Sequence, residues 1–236
     1  MLLPIGDINP CRRTPVVNWA LIAGNVLVFG AFGLGEGYAR FVSTWGFVPA
    51  SFHGGAPHAV VTLFTSMFLH GDILHLVGNM LFLWICGDNV EDMLGAIGYL
   101  AFYLVSGLAA GFGHMAITST PDVPCIGASG AISGVLGAYV VFFPHSRIKI
   151  FCFLEFIYWG VFTVAAIWAI GFWFLQQALL TLVSAGGGVA YGAHVGGFVL
   201  GLAVAGALRA ADIVRPPAVR MERYYERPRS PYDRGW

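Results

Sequence analysis

The chain has 236 residues, of which 58% are hydrophobic and only 10% are charged, and its formal net charge is zero. Its mean hydropathy is +0.76, and so much apolar surface excludes an ordinary water-soluble domain. The zero net charge and the lack of a basic stripe in the apolar body argue against nucleic acid as a partner. We therefore expect an all-α, polytopic protein whose main surroundings are the lipid bilayer.

Apolar runs of about the 20 residues that a bilayer crossing requires divide the chain into six predicted spans. These spans cover residues 16–34, 72–89, 93–117, 127–143, about 157–183 and 188–208. The connection 35–71 is long, and its stretch 60–69 is apolar but too short to cross. The sequence thus predicts a six-helix transmembrane bundle over residues 16–208 with a long, partly embedded first loop.

The segments outside the spans predict the orientation. Of the twelve Lys and Arg residues, all but Arg40 fall on one side of the predicted topology. Basic residues accumulate on the cytoplasmic side of membrane proteins, so we expect a cell-membrane protein with both termini in the cytoplasm. Residues 1–15 form the predicted amino-terminal segment, and residues 209–236 a basic, disordered tail. Glu91 and Asp92 are expected to be surface charges at the cytoplasmic end of the second span.

Polar side chains inside spans are costly, roughly 2.5–3.5 kcal/mol for a charged group, and therefore suggest function. His75 and Asn79 lie early in the second span, Ser129 at the start of the fourth and His194 early in the sixth. These three spans run in the same predicted direction. At about 1.5 Å of rise per residue, all four side chains lie within roughly 12 Å of the outer boundary. We expect them to share one layer and one site.

Small residues recur every four positions in the fourth and sixth spans, and such stripes let helix backbones come close. The stripes consist of Ser129, Ser133 and Gly137, of Gly130 and Gly134, and of Ala193, Gly197, Gly201 and Ala205. We therefore predict that these two spans pack together and set Ser129 against His194.

The chemistry that fits this set is a Ser-His dyad. A serine between Gly127 and Gly130 at a helix start presents an accessible hydroxyl, and His194 can accept its proton. Asn79, the backbone N–H of Ser129 and the His75 ring are candidate donors to an oxyanion. No carboxylate lies within a predicted span near this layer, so a third acidic member is not expected. The four cysteines have no CxxC spacing and predict neither a disulfide framework nor a metal site.

Three motifs in this order resemble the rhomboid family of intramembrane serine proteases. They are His75-x-x-x-Asn79, Gly127-Ala128-Ser129-Gly130 and Ala193-His194-Val195-Gly196-Gly197-x-x-x-Gly201. The similarity covers about residues 15–208.

The resemblance implies that Ser129 is the nucleophile, that His194 is the base, and that His75 and Asn79 belong to the oxyanion site. His70 matches a recurrent family position, and Trp45 lies in a first-loop region that the family uses for membrane embedding. The family implies cleavage of membrane-anchored protein substrates at or near the outer end of a transmembrane segment, without metal or cofactor.

The sequence departs from the family at one position. Many members place a tyrosine four residues after the serine, packed on the base, where this chain has Ser133. Tyr191 is the aromatic residue that could support His194 instead.

Two other functions compete with proteolysis. One is a catalytically inactive relative that binds transmembrane segments, whose expected sign is a lost serine or histidine. The other is a small transporter or channel, which the clustering of polar residues near one surface disfavours. Zinc and aspartyl intramembrane proteases are disfavoured because the chain has no HExxH motif and no pair of aspartates within spans.

Overall fold

A computed structural model describes residues 2–9, 11–154, 158–183 and 189–215. This part of the chain is mostly helical. Its α-helices are α1 (Val16–Val28), α2 (Tyr38–Trp45), α3 (Pro49–His53), α4 (Ala59–Thr65), α5 (Ile73–Phe82), α6 (Asp88–Ile117), α7 (Ser129–Phe142), α8 (Ala166–Val183) and α9 (Tyr191–Ala210). Single π-helical turns, Phe29–Gly33 and Leu83–Gly87, extend α1 and join α5 to α6. The predicted disordered tail lies outside the described residues from position 216 onward.

Several helices have the length and apolar character of membrane spans. Val16–Gly33, Ile73–Ile117 and Tyr191–Ala210 are each long and apolar enough to cross a bilayer, and Ser129–Phe142 and Ala166–Leu182 are shorter apolar helices. The stretch Ile73–Ile117 has 45 residues, more than twice the about 20 that one crossing requires. Gly95 interrupts its helical dihedrals with φ +71°, a value that glycine adopts without strain. The residues predicted to form the second and third spans therefore fall within this one stretch, and the interruption at Gly95 lies inside the predicted third span.

The prediction for the fifth span was wrong at its start. Its helix, α8, begins at Ala166 rather than near residue 157. The preceding residues form β2 (Arg147–Leu154) and β3 (Tyr158–Ala165), an antiparallel pair in which Ile150 faces Phe162. Hydropathy alone does not separate a short buried strand from a helix, and the β-branched and aromatic residues here favour the strand.

A third strand comes from the amino-terminal segment, so the fold is not purely α. Strand β1 (Leu2–Asp7) pairs antiparallel with β2, placing Leu3 opposite Phe151, and the sheet order is β1-β2-β3. The register shifts between Pro4 and Gly6, where the ladder is irregular. Proline cannot donate to a ladder, and it is tolerated here because β1 is an edge strand.

Helix α7 is the centre of the bundle and is buried along nearly its whole length. It packs against α9 through the small-residue stripes, as those stripes predict. A Cβ added at Gly137 would lie 2.5 Å from the carbonyl oxygen of Phe198, and one at Gly130 would lie 2.5 Å from the Cβ of Ala110 in α6. Side chains larger than hydrogen would therefore push α7 away from both neighbours.

The start of α1 is capped from a distant part of the chain. Glu91 is 4% exposed, and its carboxylate accepts the backbone N–H groups of Val17 at 3.1 Å and Asn18 at 2.7 Å. The expectation that Glu91 is a surface charge was therefore wrong, because helix starts leave N–H groups that need acceptors. Asp92 instead pairs with the exposed Arg12 guanidinium at 2.8 Å.

Candidate active site

Ser129 is the first residue of α7, and the turn before it is built for close approach. Gly127 has φ +121°, which disfavours any residue with a Cβ, and its N–H donates to the carbonyl of Ser66 at 2.9 Å. A Cβ at Gly127 would lie 2.8 Å from Nε2 of His75. Glycine here therefore lets the α5 histidine come against the turn that carries the serine.

His194 lies in the first turn of α9, 65 residues after Ser129 in the sequence. Its Nε2 is 2.8 Å from the Ser129 Oγ, a full hydrogen-bond contact. The short distance follows from the close packing of α7 on α9, because Gly130 and Gly197 keep the two backbones in contact beside the pair. The structure thus brings together the hydroxyl and the imidazole that the sequence singled out.

The other ring nitrogen of His194 contacts a residue that the sequence reasoning missed. Nδ1 of His194 is 2.7 Å from Oε1 of Gln177, a 7%-exposed side chain of α8. An amide oxygen only accepts, so it selects the tautomer with a proton on Nδ1, and Nε2 then accepts from the Ser129 hydroxyl. The available signal in the sequence was an amide in a mostly apolar helix, but Gln176 beside it is also an amide and is exposed, so the sequence did not single out Gln177.

Two aromatic rings flank His194. Trp173, one turn before Gln177, lies with its ring centroid 5.8 Å from the imidazole at an interplanar angle of 37°. Tyr191 meets the same ring edge-on, at 6.4 Å and 83°. The Ser133 hydroxyl, where a family tyrosine is frequent, donates to the Ser129 carbonyl at 2.6 Å and so turns back along its own helix.

The α5 side chains face the same region. Asp72 caps α5 by accepting the His75 backbone N–H at 2.8 Å. Nδ1 of His75 accepts the Gly71 N–H at 3.3 Å, which places the proton of the neutral ring on Nε2, the nitrogen that faces Gly127. Asn79 is 7% exposed, and its Nδ2 has no hydrogen-bond partner among the described residues.

His70 is fully buried behind His75 rather than in the cavity. The two imidazole rings meet edge-on with centroids 5.1 Å apart. The Tyr38 hydroxyl of α2 contacts the backbone of His70 on both sides, donating to its carbonyl at 2.6 Å and accepting its N–H at 3.0 Å. His70 therefore supports His75 and ties the first loop to α5.

A cavity of about 470 Å³ joins these groups. Its polar lining includes Ser129, His194, His75 and Asn79, and Trp173 contributes to its apolar wall. A serine hydroxyl, two imidazoles and an amide thus border one space whose volume lies in the range of ligand-binding pockets.

A family model described as the Rhomboid domain matches residues 57–211, about two-thirds of the chain. The chain belongs to the rhomboid family. It is 30% identical over 197 residues to Rhomboid protein 1, mitochondrial, of Saccharomyces cerevisiae, an overlap of 78% of this chain and 51% of that protein. It is 27% identical over 195 residues to Rhomboid protease GlpG of Salmonella choleraesuis, covering 82% of this chain and 63% of the relative.

This rhomboid therefore spans about half to three-fifths of the length of the relatives it matches. The matched segment contains Ser129, His194 and Gln177. Family membership and the apolar helices together identify a multi-pass membrane protein.

Proposed function

We propose that this rhomboid is an intramembrane serine endopeptidase that hydrolyses peptide bonds in or near transmembrane segments of membrane-anchored proteins. The observation that carries the proposal is the 2.8 Å contact between Ser129 Oγ and His194 Nε2 at the wall of a cavity. A nucleophile is activated when its base lies within this distance. The GlpG relative is named as a rhomboid protease, which agrees with the proposal.

The reaction follows from the two side chains. Ser129 Oγ attacks the substrate carbonyl carbon while its proton passes to His194 Nε2. The attack turns the carbonyl oxygen into the oxyanion of a tetrahedral intermediate. The imidazolium then donates that proton to the departing amide nitrogen, leaving an acyl ester on Ser129. Water attacks the ester as His194 takes a water proton, and the same proton returns to Ser129 Oγ when the acid leaves.

The oxyanion needs donors that have no other partner. Asn79 Nδ2 is buried and has no hydrogen-bond partner among the described residues. The Nε2 proton of His75 faces Gly127, in the turn that precedes Ser129. The Ser129 N–H belongs to the first turn of α7, where backbone N–H groups lack intrahelical acceptors. We assign these three groups to the oxyanion site, where loss of one donor typically costs about 10²- to 10³-fold in rate.

The proposal includes a topology. Six crossings are formed by α1, the two arms of 73–117 separated at Gly95, α7, α8 and α9, with both termini in the cytoplasm of a cell-membrane protein. Residues 1–15 precede this domain, residues 16–208 form it and residues 209–236 are its tail. The connection 35–71, which contains α2 to α4, shapes the outer rim of the domain and is itself partly embedded in the membrane.

The test is cleavage of a reporter that carries a helix-destabilised transmembrane segment, by purified protein in liposomes. Ser129→Ala and His194→Ala are expected to cleave the reporter more than about 10³-fold more slowly than the wild type. Ser43→Ala in α2 and His53→Ala in α3 are matched controls outside the site, and they should cleave like the wild type. Cleavage by Ser129→Ala at the wild-type rate would refute the dyad.

The wild type can fail to cleave the reporter because the reporter is not its substrate, so a second measurement tests the serine without a substrate. A serine-directed fluorophosphonate should label the wild type and not Ser129→Ala. If the wild type neither cleaves nor reacts, the non-proteolytic function, binding of transmembrane segments, replaces the proposal.

A further inference from the structure

The imidazole of His194 is held from α8 rather than from α7. Gln177 Oε1 is 2.7 Å from Nδ1, and Trp173, one turn earlier on the same helix, lies against the ring. On α7, Ser133 is committed to the Ser129 carbonyl at 2.6 Å. The residues that orient the ring at Nδ1 and on one face are therefore both supplied by α8.

The Gln177 amide is buried at a place where a polar group without a hydrogen bond would destabilise the fold. Gln177 is 7% exposed in a mostly apolar helix, and burying an amide without a hydrogen bond is unfavourable. Its neighbour Gln176 is exposed, so the two glutamines differ in environment although they are identical in chemistry. The contact with His194 explains why an amide, rather than an aliphatic side chain, occupies position 177.

We propose that Gln177 is a positioning residue that holds His194 in the Nδ1–H tautomer with Nε2 directed at Ser129. This inference rests on the proposed protease function. The amide oxygen does for this imidazole what a carboxylate does in a Ser-His-Asp triad, where the wrong histidine tautomer removes most of the activity. Because the amide is neutral, it orients the ring without adding a charge inside the bundle.

The variant that isolates this contact is Gln177→Met, which keeps the chain length and removes the acceptor. We expect kcat for reporter cleavage to fall about 10- to 100-fold, the loss that is typical when the hydrogen-bond partner of a metal-ligating histidine is removed. KM should stay nearly constant, because the ring orientation matters in the transition state. Gln176→Met is the matched control, and it should cleave like the wild type.

The conservative variant Gln177→Glu separates positioning from packing. It keeps both the length and an acceptor oxygen, so it should cleave faster than Gln177→Met. If Gln177→Met cleaves at the rate of Gln176→Met, or if Gln177→Glu is as slow as Gln177→Met, the positioning role is refuted.

A spectroscopic readout decides the matter independently of activity. In ¹⁵N-histidine-labelled protein, with the His194 signals assigned by their loss in His194→Ala, the wild type should show the proton on Nδ1. Gln177→Met should lose this preference and Gln177→Glu should keep it. A wild-type His194 with its proton on Nε2 would overturn the inference even if the enzyme cleaves. A wild type without protease activity that shows the Nδ1–H tautomer, lost in Gln177→Met, would refute the proposed function and leave the histidine contact standing.

Discussion

Substitution of Gly137 by alanine tests the packing that brings α7 onto α9. The added Cβ would lie 2.5 Å from the Phe198 carbonyl oxygen and 3.0 Å from the Leu202 nitrogen, whereas ordinary contact begins at 3.4 Å. Both obstacles are backbone atoms, so relief requires the helices to separate by about 0.9 Å rather than a side chain to rotate. Overpacking of this kind costs typically 1–3 kcal/mol, and we place it near 3. Alanine returns about 1 kcal/mol through helix propensity, which leaves a net loss of about 2 kcal/mol.

The assay is reversible unfolding in mixed detergent micelles, with helix content followed by circular dichroism. Gly206→Ala in α9 is the matched control, since a Cβ there meets nothing within 4 Å and should leave the free energy of unfolding unchanged or raise it by up to about 1 kcal/mol. Equal unfolding free energies for the two variants would show that α7 and α9 do not depend on this close approach. The reasoning about the small-residue stripes would then fail.

Two further predictions concern the sheet and the start of α1. Burial, opposed by a hydrogen bond from Tyr139, raises the pKa of Asp7 from 3.8 to about 7, so the folded protein binds this proton more tightly than the unfolded chain. The Tm of the wild type should therefore fall as the pH rises from about 4 through 7, and Asp7→Asn should flatten this trend; parallel Tm–pH curves for the two proteins would contradict it. Glu91→Ala leaves one buried and one partly buried backbone N–H group of α1 without their acceptor and should cost about 2–3 kcal/mol in the same unfolding assay. Arg215→Ala removes an ion pair whose two side chains are both exposed, and it should leave the free energy of unfolding nearly unchanged. Equal losses for these two variants would argue against the capping role of Glu91.

The sequence was most informative where the signal is local. Composition alone indicates a membrane protein, and the four-residue spacing of small residues indicates which helices can approach. The motifs around Ser129 and His194 are short enough to be recognised in one dimension, and they are similar to the rhomboid family to which the chain belongs. Helix boundaries of the fourth and sixth predicted spans agree with α7 and α9 to within a few residues.

The errors share a physical cause, which is dependence on distant partners. Residues 158–165 are apolar enough for a helix, and they form a strand because β2 offers a ladder, while β2 in turn pairs with the amino-terminal β1. Glu91 has the composition of a surface charge, and it is buried because the start of α1 comes to it from 73 residues away. Hydropathy and spacing within one segment contain neither fact.

The same distinction holds inside the candidate site. The sequence by itself determined which side chains are candidates for the chemistry, because a hydroxyl, an imidazole and an amide inside apolar helices are visible as residue types. Only the tertiary structure decided that Gln177, and not Gln176, meets His194, and that Ser133 turns back to its own helix. Adjacent residues on a helix point about 100° apart, so the rotation of α8 about its axis, which its packing against α9 sets, decides which of the two amides faces His194.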